Sequence, residues 1–204
     1  MRISTVSRTA LVLFVAAVWL PAQDEVSVAS PDGRIVFRLL DGPPAMADSP
    51  LPHLSYQVEF KGKRLIDTSH LGFEIANQLP LGHKLGLMDT LRESVDETYT
   101  LPTGKAKVVR NRYNEVVAHY LQNGSLGRRM TMEVRAFDDG VAFRYVVARS
   151  APLEDFQVEN EMTEFVFAQD AEAYPQLLDG FQTNHEEQYS KMTLSGIHSD
   201  ALVG

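Results

Sequence analysis

The chain has 204 residues, a formal net charge of −8 and no cysteine. The missing cysteine excludes a disulfide framework and a lipid anchor on an N-terminal Cys; an oxidising compartment permits disulfides without requiring them. An acidic chain with scattered Lys and Arg also argues against nucleic acid or an anionic membrane as a partner.

Residues 1–22 read as a secretory signal peptide. Arg2 and Arg8 form a basic start, Ala10 to Leu20 is an apolar run too short to span a bilayer, and Ala22 is a small residue at the expected cleavage point before Gln23. The expected location is therefore periplasmic or extracellular, with no membrane contact once the signal is removed. Cleavage removes two positive charges and no negative ones. Trp19, the only tryptophan, lies within this segment, so the mature chain lacks the largest sugar-stacking side chain.

Residues 23–204 fit one all-β domain. Val26 to Val28 and Ile35 to Leu40 flank Pro31-Asp32-Gly33 as a first hairpin. Residues 41–53 carry four prolines with Gly42, Asp48 and Ser49, so they read as a loop. Leu54, Tyr56, Val58 and Phe60 alternate with Ser55, Gln57 and Glu59, the pattern of a half-buried strand that leads to a Lys61-Gly62-Lys63 turn. Residues 67–92 are ambiguous, with a short strand at Gly72 to Ala76. Asp96 and Glu97 read as an acidic turn. Lys105 to Arg110 and Tyr113 to Leu121 read as two strands paired with each other, followed by an Asn123-Gly124 turn; with Ser125 this also matches a glycosylation sequon.

The clearest window follows. Met130, Met132, Val134 and Ala136 alternate with polar residues, as do Val141, Phe143, Tyr145 and Val147 with theirs, and Asp138-Asp139-Gly140 lies between. This predicts a hairpin with Met132, Val134, Phe143 and Tyr145 buried, and with Gly140 supplying a positive φ. Arg144, on the opposite face, is expected to be exposed or paired across the strands. Residues 153–168 supply one or two further strands. No helical stripe, repeat or low-complexity tract is present, nor a nucleophile elbow, a zinc-helix motif, a P-loop or a dinucleotide fingerprint. His53, His70, His83, His119 and His198 show no metal-ligand spacing.

Taken in order, Ser30-Pro31-Asp32-Gly33-Arg34-Ile35, the Tyr56–Ile66 strand-turn-strand, Ser94-Val95-Asp96-Glu97-Thr98-Tyr99, Arg112-Tyr113-Asn114-Glu115, Phe137–Tyr145 and Glu161-Met162-Thr163-Glu164-Phe165 resemble the N-terminal domain of family 97 glycoside hydrolases. Family 31 α-glucosidases share a loosely similar Asp-Gly hairpin, but the Ser-Val-Asp-Glu-Thr and Tyr-Asn-Glu segments favour family 97. The resemblance implies a galactose-mutarotase-like β-super-sandwich, incomplete at its C-terminal end and truncated before a catalytic (β/α)8 barrel. It further implies an α-linked oligosaccharide or glycoside as substrate, with the barrel and a C-terminal domain of the parent enzyme as partners. The carboxyl pair that glycoside hydrolysis needs would lie on that barrel. The chain alone is therefore expected to be inactive, and no catalytic residue is assigned. A stand-alone carbohydrate-binding module without catalysis is the alternative, against which the missing tryptophan counts.

One polar segment, Asp179 to Tyr189, concentrates His185, Glu186 and Glu187. Read from its residues alone it is a solvated acidic loop. The resemblance implies that Glu186, or Glu187 if the register shifts by one, is a calcium ligand once the barrel supplies the others. It also implies that Asn184 and His185 face the sugar. Calcium takes roughly six to eight oxygen ligands, more than this loop holds.

Overall fold

The structure is a computed structural model that describes residues 25–41, 53–124, 127–150, 153–198 and 202–203. The predicted signal, the proline-rich loop at 42–52 and Ser125 lie outside the described residues. The first sheet is a four-stranded meander of β1 (Glu25–Ala29), β2 (Ile35–Asp41), β3 (Leu54–Phe60) and β4 (Lys63–His70). Its turns follow the local chemistry. Gly33 sits at φ 72° after Pro31-Asp32, and Lys61 and Gly62, at φ 50° and 73°, make a tight reversal of the kind that sheet twist favours.

A short strand, β5 (Phe73–Ile75), precedes the second meander. That meander contains β6 (Leu85–Thr100), β7 (Val108–Gln122), β8 (Arg129–Phe137) and β9 (Val141–Val147) in sequence order. The two sheets face each other across a core that includes Phe37, Leu39, Tyr56, Val116, Tyr120, Met132 and Val134, all essentially inaccessible. Phe37 stacks on Tyr56 within the first sheet at 5.1 Å, and Phe143 of the second lies 5.8 and 5.3 Å from those rings. Each large apolar side chain buried here contributes about 1.5–3 kcal/mol relative to exposure. The all-β domain expected from the alternation, and the sandwich implied by the resemblance, are the observed architecture.

The predicted hairpin is β8–β9, in the register Met130↔Val147 to Ala136↔Val141. Met132 and Val134 are fully buried, while Phe143 and Tyr145 are partly buried and pack against the core. The turn itself differs from expectation. Gly140 is not among the positive-φ glycines, because Asp138 and Asp139 make the bend and Gly140 pairs with Phe137, its carbonyl accepting from Phe137 N–H at 2.8 Å. Arg144 reaches across to Glu133 at 2.6 Å, as cross-strand pairing predicts.

Two strand assignments are corrected. Asp96 and Glu97 do not turn; they lie within the 16-residue β6. Residues 105–107 belong to the connection, and β7 is one strand from Val108 that pairs along its length with β6. The alternation is lost here because the outer part of β6–β7 is wet on both faces. Its acidic residues are held across the ladder instead, Asp96 in an ion pair with Arg110 at 2.7 and 2.6 Å and Glu97 by a hydrogen bond from the Asn111 amide at 2.7 Å. Since β8 reaches only to the Phe137↔Tyr113 pair, residues beyond it form a two-stranded arm. The exposed end of β3 is a smaller departure: Phe60 is 39% exposed while Ser55 is buried.

Near residue 72 the backbone folds tightly on itself. A Cβ on Gly72 would meet the Leu81 carbonyl oxygen at 2.3 Å, and one on Gly82 would meet that of Leu71 at 2.5 Å. Phe73 and Leu81 exchange backbone hydrogen bonds of 2.8 and 2.9 Å at this crossing. The segment from β10 (Val158–Glu161) to Ala168 then runs antiparallel along β5 and β4. Small pairs finish the domain: β11 (Glu172–Ala173) with β13 (Met192–Thr193), and β12 (Leu177–Leu178) with β14 (Leu202–Val203).

Candidate functional site

The loop between β12 and β13 holds Asn184, His185, Glu186 and Glu187. Its base is closed by a backbone bridge between Gln176 and Tyr189, by Ser190 N–H donating to Pro175 O at 3.0 Å and by the Gln176 amide donating to Glu187 O at 2.8 Å. Below it, Lys191 pairs with Glu172 at 2.6 Å, and Ser195 donates from both its backbone N–H and its hydroxyl to Asp170. The Lys191 hydrogen bond holds the Glu172 carboxyl below its usual range, and the Ser195 N–H does the same for Asp170. The loop is thus carried on a fixed base.

Within the loop the four predicted residues are close in sequence and all exposed. His185 takes φ 55°, the left-handed conformation that turns the chain, and its N–H donates to Thr183 Oγ1 at 3.2 Å. The Asn184 side chain brackets Glu186, its Nδ2 donating to the carboxylate at 3.3 Å and its Oδ1 accepting from the Glu186 N–H at 3.4 Å. Phe181 and Tyr189, 84% and 70% exposed, stand at either end. The available donors are hard oxygens of the type calcium takes, so the chemistry fits the ion. The number does not: among the described residues no three His, Asp or Glu side chains gather closely enough to hold a metal. Any ion here needs oxygens from elsewhere.

A second cluster has no counterpart in the linear pattern. His53 and His83 face each other across an isolated bridge with ring centroids 3.5 Å apart, and His70 lies 4.8 Å from His53. His70 Nδ1 is 3.0 Å from the Glu164 carboxylate. Burial first, then the neighbouring imidazoles, pushes His53 down to about 4 and lowers His83 in the same direction. These three histidines are spread over 30 residues of the chain, from His53 through His70 to His83, and the Gly72–Gly82 crossing lies between the last two, so spacing carried no signal of them.

The comparisons with known proteins agree with this architecture. The family model described as "Glycosyl-hydrolase 97 N-terminal" matches residues 28–203. A retaining alpha-galactosidase of Bacteroides thetaiotaomicron is 27% identical over 171 residues, covering 83% of this chain and 23% of the relative. A probable retaining alpha-galactosidase of Streptomyces bingchenggensis is 29% identical over 185 residues, covering 89% and 26%. Among solved structures, a family 97 glycoside hydrolase from Pseudoalteromonas sp. strain K8 in complex with acarbose superposes with a TM-score of 0.70 at 27% identity, covering 82% of this chain and 24% of that one. The chain spans about a quarter of the length of the curated relatives it matches. A match over nearly all of the described sandwich places this chain in the glycoside hydrolase family 97 N-terminal domain family.

Proposed function

We propose that the domain is the N-terminal module of an exported enzyme that hydrolyses α-linked glycosides. In this reading it walls part of the active-site pocket, presents Asn184 and His185 to the sugar, and offers Glu186 as one calcium ligand, with the remaining ligands and the catalytic carboxyl pair on a (β/α)8 barrel. The observation that carries the reading is the Asn184–Glu187 loop itself. It is exposed, held on a braced base, and bears a carboxylate bracketed by a carboxamide, inside a domain whose family relatives include alpha-galactosidases. A single loop carboxylate is an incomplete calcium site, so the ion is expected to bind only when a second domain contributes oxygens. The basic and apolar pattern of residues 1–22 supports export.

The test joins residues 23–204 to the barrel and C-terminal portion of a family 97 enzyme. The expected result is calcium-dependent turnover of aryl α-galactosides or α-glucosides by the joined protein and none by the isolated chain above a boiled control. Turnover by the isolated chain, or a joined protein whose activity ignores both calcium and the loop, overturns the reading.

A further inference from the structure

The turn between β7 and β8 begins with Asn123-Gly124, the single Asn-Gly pair among the six asparagines of the chain. Its base is fixed, with Gln122 N–H donating to Arg128 O at 2.9 Å and Asn123 N–H to Lys84 O at 2.8 Å. Beyond that base the chain is open. Both residues are exposed, Gly124 takes φ 76°, and a Cβ placed on it would meet nothing within 4 Å. Among the described residues, neither the Asn123 carboxamide nor the Gly124 N–H has a hydrogen-bond partner.

An asparagine carries an electrophile, its amide carbon Cγ, within reach of a nucleophile, the backbone nitrogen of the next residue. Their union closes a five-membered ring. The reaction requires a nitrogen that hydroxide can reach, that has no hydrogen bond to give up, and that is not crowded by its own Cβ. The other five asparagines each fail this test. Asn111 and Asn114 lie inside β7, where the following Arg112 and Glu115 belong to the β6–β7 ladder, and their carboxamides donate to Glu97 at 2.7 Å and to Ala29 O at 2.8 Å. Asn160 lies in β10 ahead of Glu161, which pairs with Phe73. After Asn77, the Gln78 N–H donates to Ile75 O at 3.1 Å; after Asn184, the His185 N–H donates to Thr183 Oγ1 at 3.2 Å. Only at Asn123 is the nucleophile exposed, unbonded and free of a side chain.

We infer that Asn123 is a site of spontaneous deamidation in the folded domain, with the Gly124 nitrogen as nucleophile. Hydroxide takes the Gly124 amide proton, the nitrogen bonds to Asn123 Cγ, and the Cγ–Nδ2 bond breaks as Nδ2 leaves with a proton as ammonia. Water then opens the cyclic imide. Attack at Cγ restores the normal backbone with Asp at 123; attack at the main-chain carbonyl carbon gives isoaspartate, whose backbone runs through Cγ and is longer by one methylene. Either product adds a negative charge to a chain whose formal net charge is −8. The inference does not depend on the role proposed for the Asn184–Glu187 loop. In the test, the 204-residue chain is aged in mildly alkaline buffer, folded and, in parallel, unfolded in urea. Peptide mapping follows each asparagine to Asp and isoaspartate, and an ammonia assay counts the amides lost. Folded Asn123 is expected to convert at nearly its rate in urea, and at least about tenfold faster than Asn77 or Asn184. Gly124→Ala, which sets a Cβ beside the nucleophile, slows conversion about tenfold. Asn123→Gln, whose longer side chain would have to close a larger ring, removes most of the ammonia. Circular dichroism confirms that the variants are folded, and the comparison of folded with unfolded chain needs no variant. Asn123 that stays an amide in the folded chain while converting in urea overturns the site. So does undiminished ammonia release from Asn123→Gln, or faster conversion at another asparagine.

Discussion

At the scale of single residues, two kinds of position can be tested directly. Gly72 and Gly82 are φ +149° and +123°, and their missing side chains leave room for a carbonyl oxygen of the crossing strand. Backbone cannot yield as a flexible side chain does. Gly72→Ala and Gly82→Ala are therefore each expected to destabilise the domain by at least about 4 kcal/mol, the exceptional range for one substitution; urea denaturation of the two variants measures this. Glu186 is the other case. In the joined enzyme described above, Glu186→Gln keeps the size and removes the charge, and is expected to raise the calcium concentration needed for half-maximal activity by about tenfold, equivalent to roughly 1.4 kcal/mol, with thermal unfolding unchanged. Glu187→Gln is expected to do less, and the reverse order would shift the ligand by one residue. Linear sequence marked Asp179 to Tyr189 as one polar run, and only the family resemblance singled out Glu186 within it. Neither brought out Gly72 and Gly82, since their pairing is a fact of three-dimensional crossing.

At the scale of elements, legibility followed solvent exposure. The β8–β9 hairpin, wet on one face and dry on the other, could be assigned residue by residue. Met132→Ala is expected to cost about 2–5 kcal/mol, because the site is fully enclosed between two sheets; the measurement is the shift in denaturation midpoint. The β6–β7 arm, wet on both faces, lost the alternation that marks a strand, so Asp96 and Glu97 looked like a turn. The histidine cluster was hidden for another reason: its members come from the ends of separate segments. It makes a prediction about pH. His53 is held neutral, its folded value near 4 against about 6.5 when unfolded. Its stabilisation is thus complete above pH 6.5 and declines as pH falls toward 4, where the unfolded chain takes up a proton that the folded one refuses. His83 acts in the same sense. Roughly 1–3 kcal/mol is at stake. Urea denaturation between pH 7 and 4 measures it, and a His53→Gln variant is expected to flatten the curve.

At the scale of the whole molecule, the two sheets are built in the same way. Each is a meander in which every strand pairs with its successor, so each sheet can form from neighbouring hairpins. What joins the sheets is distant in sequence: Asp32 N–H meets Asp138 across 106 residues, and the Asn114 side-chain amide donates to Ala29 O across 85. This arrangement sets an order for folding. Short loops close cheaply and quickly, whereas bringing residues a hundred apart together must await enough local structure to reward it. The β8–β9 hairpin is expected to be formed early, so Val134→Ala slows refolding. Asp138→Ala, which cuts the tie between the sheet ends, is expected to speed unfolding and leave refolding nearly unchanged. Stopped-flow measurements of both variants distinguish the two limbs. The long-range contacts that finish the sandwich therefore act as its kinetic latch, governing how long the folded domain persists rather than how fast it appears.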